Sequence, residues 1–190
     1  MKITWLILGV VVGLAIAGCE PDKIEKSDDK LQEVQGAMGW NLGDVLPNNF
    51  QVNTNDTIYG ITYQFDPPPE LTNDLSANCF LILTEDRRIA AIRVHGSENE
   101  HFDFLNIKKV LKEKYGVRQI FHDQSSGNII YFGEAKRQVV LSTNILGACI
   151  DLNYQDKELN ALAETQQEIR KAAAKEDADK QTQTNLKGKF

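Results

Sequence analysis

The sequence predicts an α+β domain: a mostly antiparallel sheet, one helix packed on it (about residues 102–115) and a second helix projecting at the C-terminus. Three observations carry this. Cys79–Thr84 (CFLILT) and Ile89–His95 (IAAIRVH) are apolar runs separated by the polar turn Glu85–Arg88, which reads as a hairpin. Phe104, Ile107, Leu111 and Tyr115 recur at helical spacing and mark one face. The other strand-like segments follow one another without the regular strand–helix alternation that a parallel sheet requires.

Taken from the N-terminus, Lys2 precedes an almost wholly apolar run, Ile3–Ile16, and the small residues Ala17 and Gly18 lead into Cys19. This is the layout of a secretory signal peptide over residues 1–18. The run Ile16-Ala17-Gly18-Cys19 resembles the lipobox of bacterial lipoproteins, with Ile16 where that family more often has leucine. The resemblance covers residues 1–19. It implies lipidation of the Cys19 thiol, cleavage before Cys19 and acylation of the new amine with a palmitate-type chain. Glu20, where aspartate would imply inner-membrane retention, implies an outer-membrane protein facing the periplasm. An uncleaved anchor is the competing reading. Only 17 residues separate Lys2 from Glu20, the bottom of the spanning range, and Gly9, Gly13 and Gly18 thin their hydrophobicity. Two or three acyl chains hold a protein firmly, whereas one is marginal.

Residues 19–36 are dense in charge and read as a lipidated tether, since Ile24, Leu31 and Val34 are their only aliphatic residues. Residues 37–155 hold nearly all the aromatic residues and form the α+β domain. Asp56–Phe65 reads as a strand with Ile61, Tyr63 and Phe65 on one face, ended by Pro67, Pro68 and Pro69. The helix over Phe102–Tyr115 has Ser97 or Asn99 as candidate caps, lysines toward its end, and Gly116 to stop it. Val117–Phe121, Ile129–Gly133, Arg137–Ser142 and Cys149–Tyr154 read as strands. The last alternates, with Cys149, Asp151 and Asn153 opposite Ile150, Leu152 and Tyr154. Residues 156–190 form a helix with a narrow stripe of Leu159, Leu162, Ala163 and Ile169, which docks early, then runs into solvent and ends in a disordered tail.

The net charge of −6, from 21 basic and 27 acidic residues, argues against nucleic-acid binding, which depends on neutralising phosphates. Three cysteines are too few for a four-cysteine zinc site. With Cys19 lipidated, Cys79 and Cys149 remain, and outside the cytoplasm such a pair favours a disulfide; two buried, reduced thiols are the alternative. His95, His101 and His122 have no spacing that sets two on one face, so no metal is expected, and no cofactor motif is present. Ser27–Lys30 matches SxxK, but within a charged stretch that offers no walls for a site.

Two stretches suggest a binding surface. One is Tyr63 to Pro69, where Tyr63 and Phe65 stand beside the stiff Pro67-Pro68-Pro69; the alternative is a rigid strand exit. The other is Ala37–Gly43, where Trp40 is an interface anchor if exposed and a core residue if not. The expected function is that of a lipid-anchored envelope protein, not an enzyme, with a binding, accessory or assembly role and an envelope protein as partner. An inhibitor or exclusion factor is the alternative. A hydrolase is the least supported, since it needs His95, His101, His122 and Asp123 to gather.

Overall fold

Along β11 (Cys149–Asp156) burial alternates at every residue, so Ile150, Leu152, Tyr154 and Asp156 enter the core and Cys149, Asp151, Asn153 and Gln155 stand on the other face. The same two-residue period organises the rest of the computed structural model, which describes residues 23–26, 29–66, 78–97, 103–123, 127–144 and 149–187. The other strands are β1 (Lys23–Lys26), β2 (Gly36–Ala37), β3 (Trp40–Asn41), β4 (Asn53–Asp56), β5 (Gly60–Phe65), β6 (Asn78–Leu83), β7 (Ile89–Ser97), β8 (Val117–Asp123), β9 (Gly127–Phe132) and β10 (Arg137–Thr143). The helices are α1 (Phe104–Tyr115) and α2 (Lys157–Lys187).

Nine strands form one sheet in the order β1-β8-β9-β10-β11-β7-β6-β5-β4, and β2 and β3 form a separate ribbon. Every neighbouring pair is antiparallel. Two four-stranded meanders, β4–β7 and β8–β11, meet where β7 pairs with β11. The α+β class with a mostly antiparallel sheet, one packed helix and a projecting C-terminal helix is therefore the observed one.

The inner face carries the core: Leu81, Ile92, Val94, Ile130, Phe132, Val139, Leu141, Ile150 and Leu152. It is covered by α1, through Phe104, Leu111 and Tyr115, and by the segment from Val34 to Leu46. The apolar spacing read from sequence is thus the face α1 buries, with Ile107 half-buried beside it. The cap differs. Asp103, not Ser97 or Asn99, accepts from the Leu105 amide at 2.9 Å, because β7 runs on through Ser97. Asn99 lies outside the described residues. Gly116 ends α1 at φ +72°, where a Cβ would lie 2.6 Å from the Lys30 carbonyl oxygen.

The tether expected over 19–36 is partly structure. β1 pairs with β8, and the Val34 side chain is fully buried. A strand edge needs only backbone groups, so a charged sequence can supply it. The strand expected over 56–65 is instead a hairpin: the Asp56 carboxylate accepts from the amides of Ile58 and Tyr59, and Gly60 takes φ +83°. In the turn between β6 and β7, Arg87 sits at φ +66° and donates to the carbonyls of Leu46, Pro47 and Phe50, which pins that segment to the sheet.

β11 passes directly into α2. Asp156 is buried, accepts from the amides of Glu158 and Leu159, and pairs with Arg137 at 3.0 Å. α2 lies on the outer face and docks by its first half, as expected. The docking stripe keeps two of its four expected residues, Leu159 and Ala163. Leu159, Ala163, Gln166, Gln167 and Arg170 meet the sheet, while Leu162 and Ile169 are exposed. Gln167 donates to the Thr57 carbonyl, Gln166 accepts from the Glu85 amide, and Arg170 pairs with Glu85. Leu159 and Ala163 pack on Ile82, Ala90 and Ala91, and beyond them the contact is with polar turns, which polar side chains serve better than leucine. Residues 171–181 are exposed throughout. Among the described residues no helix is long and apolar enough to cross a membrane.

Candidate functional site

On the outer face, register places polar side chains in rows that run across the strands. Asp151 of β11, His95 of β7 and Asn78 of β6 are directly opposed. The next row is Asn153, Arg93, Phe80 and Gln64, on β11, β7, β6 and β5. The third includes Gln155, Ala91, Ile82, Thr62 and Asn53, and its middle lies under α2. Neighbours in a row are about 4.8 Å apart and rows about 6.7 Å apart.

The first row, Arg93, Phe80 and Gln64 of the second, and Thr62 and Asn53 of the third floor a groove of about 530 Å³, completed by Gln51, Asp56 and Tyr59. At its centre the Arg93 guanidinium donates to Asp151 Oδ1 from Nε at 3.3 Å and Nη2 at 3.2 Å. His95 Nδ1 lies 3.1 Å from the same oxygen. Arg93 also stacks on the Tyr59 ring at 4.7 Å, and Tyr59 tilts against Phe80 at 4.9 Å. A smaller crevice of about 220 Å³ continues under α2 toward Asn160 and Glu164, sharing Tyr59 and Arg93 with the groove. Asn153 lines the crevice, and its buried Oδ1 has no hydrogen-bond partner among the described residues.

A second cluster forms at the margin of the inner face, from residues the sequence singled out. Phe50, Tyr63 and Phe65 come together around Trp40, with ring centroids 5.1–6.1 Å apart and edge-to-face geometry. All four are half-buried and packed against the core. Trp40 is therefore chiefly a packing residue, the alternative already open for it, and the cluster closes the edge of the core. Pro67, Pro68 and Pro69 lie outside the described residues, as do Cys19 and His101.

The expected disulfide is not formed; Cys79 and Cys149 are free. Register gives the reason. Cys79 is opposite Val94 and Cys149 opposite Ser97, three residues apart on the strand between them, so the two thiols face opposite sides of the sheet. They are also two strands apart, about 10 Å across and 10 Å along, beyond the reach of a bridge. Cys79 is buried in the core, and desolvation pushes its thiol up to about 11. Cys149 is half-buried on the groove's face, next along β11 to Asp151 on that side. β8, which carries His122 and Asp123, is four strands from β7, which carries His95. No group of three His, Cys, Asp or Glu side chains able to hold a metal occurs among the described residues.

Sequence reasoning found His95 only as a histidine without a partner and missed Arg93, Tyr59, Phe80 and Asn78. The one available signal was the polar side of β11, where Asp151 alternates with core residues. Comparison with known proteins finds no matching family model, no similar curated protein and no similar solved structure.

Proposed function

We propose that this chain is a lipid-anchored cell-envelope protein that acts by binding, in an accessory or assembly role, with the outer sheet face as its working surface. Anchoring rests on the signal-like run and the Ile16–Cys19 lipobox pattern, and Glu20 favours the outer membrane facing the periplasm. The binding role rests on one observation. The groove over β4–β7 and β11 stays open where α2 stops covering the sheet, and its Arg93, His95 and Asp151 side chains are tied to one another. A catalytic site would aim such groups at a reacting centre, with a nucleophile against a base. Here His95 and Arg93 converge on Asp151, and among the described residues those lining the groove include no serine or cysteine.

A crosslinked pull-down from intact cells, with a C-terminal tag, tests this. A defined envelope partner is expected with the wild-type chain and not with Cys19→Ala. Recovery of a lone monomer from both would overturn the proposal.

A further inference from the structure

We infer that the outer-face groove is a binding site for an uncharged saccharide chain. This names the ligand of the surface proposed above and rests on that surface being the working one.

The chemistry of the groove selects the class. Four carboxamides, Gln51, Asn53, Gln64 and Asn78, line it together with the hydroxyls of Thr62 and Tyr59. Each carboxamide offers donors and acceptors side by side, and each hydroxyl offers both. Only a ligand dense in groups that also donate and accept can use many of them at once, and sugar hydroxyls do so. The half-buried rings of Tyr59 and Phe80 stand among these polar groups, where the C–H face of a pyranose can lie against a ring.

Other ligands fit less well. An anion needs a cation to spare, but the Arg93 guanidinium is bonded to Asp151 and stacked on Tyr59. A phosphate would also meet the carboxylates of Asp56 and Asp151. A cation would find Asp151 already bonded to Arg93, and Asp56 already accepting from the amides of Ile58 and Tyr59. A largely apolar ligand would strand most of the lining amides without partners, at a cost for each one buried. The Arg93–Asp151 pair instead presents a fixed donor and a fixed acceptor side by side, which suits two adjacent hydroxyls.

The groove is also long enough. From Asp151 on β11 through Arg93 and Phe80 to Gln64 on β5 it spans four strands, about 14 Å. The crevice under α2 extends it toward Asn160 and Glu164. The saccharide therefore lies across the strands, with one end entering beneath α2.

The test uses the full chain in a detergent without a sugar headgroup, titrated calorimetrically with N-acetylglucosamine tetramer, maltotetraose and cellotetraose, and with heparin as a polyanion. At least one neutral tetrasaccharide is expected to bind, with little dependence on salt. Gln64 and Asn78 are both exposed, so Gln64→Ala/Asn78→Ala leaves the fold intact and should weaken binding by about tenfold or more. Leu162→Ser, on the exposed side of α2, should leave binding unchanged. Three results would overturn the inference: no binding of any tetrasaccharide up to about 10 mM, binding of heparin alone with loss in salt, or saccharide binding indifferent to the Gln64/Asn78 substitutions. The two readings fail separately. Saccharide binding by a chain that recovers no envelope partner removes the assembly role alone. Loss of partner recovery in the groove variant, with no saccharide bound, removes this inference alone.

Discussion

On the inner face of the sheet stand Phe132, Leu141, Ile150 and Ile92; one residue further along the same strands, on the outer face, stand Tyr131, Ser142, Asp151 and Arg93. The inner set is covered on all sides by α1, the Val34–Leu46 segment and the Trp40 cluster. Among the described residues the outer face is covered at one end, by half of α2. The same backbone thus holds a dry face, where shape and volume set stability, and a wet face, where hydrogen bonds and charge pairs are exposed to a ligand. The inner face therefore answers to stability and the outer face to binding, and each can be altered with limited effect on the other.

The largest effect expected is on the inner face. Phe132→Ala removes a fully buried ring between β8 and β10 and should cost about 3–5 kcal/mol, read as a fall in the urea midpoint. A loss below about 1 kcal/mol would mean the core is not packed as described.

Asp156 joins the two faces, because it is buried, caps α2 and pairs with Arg137. Asp156→Ala should cost about 3 kcal/mol, from the stranded Arg137 and the two uncapped amides. Asp156→Asn keeps the capping oxygen and should recover part of that loss. If both substitutions cost the same, the charge pair and not the cap carries the effect.

Alkali should act through the inner face. Cys79 is raised from 9.0 to about 11 by burial, and Tyr154 is raised by burial and by the nearby Tyr115. Both are neutral acids favoured in the folded state. Their contribution is complete below pH 9 and is lost as pH climbs through the folded values. For Cys79 this is roughly 2 kcal/mol between pH 9 and pH 11. Cys79→Ala should flatten the stability curve across that window. At neutral pH an alkylating reagent should label half-buried Cys149 in the native protein and reach Cys79 only on unfolding. Equal labelling of both would contradict the assignment of Cys79 to the core.

The smallest effect is expected at the far end of α2. Ending the chain after Lys171 removes exposed helix, so helical circular dichroism should fall while the urea midpoint moves by less than about 0.5 kcal/mol. A larger shift would show that the projecting half also holds the fold.

Much of the inner face was legible in the sequence, and little of the outer. The positions Phe104, Ile107, Leu111 and Tyr115 reveal a buried helix side because helical spacing and burial are both local. The alternation in Cys149–Tyr154 reveals which side of β11 is wet for the same reason. Leu159 and Ala163 of the α2 stripe were legible, but its polar part was not, since Gln166, Gln167 and Arg170 meet backbone and charge from turns more than 80 residues away in sequence. Parity of two cysteines suggested a bridge, but pairing depends on register, which no local pattern records.

What the sequence by itself determined is the class of fold, the α1 core face, the inward side of β11 and the early docking of α2. Each follows from a period of two or of about 3.6 residues within one segment. Only the tertiary structure decided that Arg93, His95 and Asp151 meet, that Asn78 and Gln64 join them, and that the two thiols face apart. Those facts depend on which strands are neighbours and in what register, and register is set by packing and turn geometry acting across the whole chain.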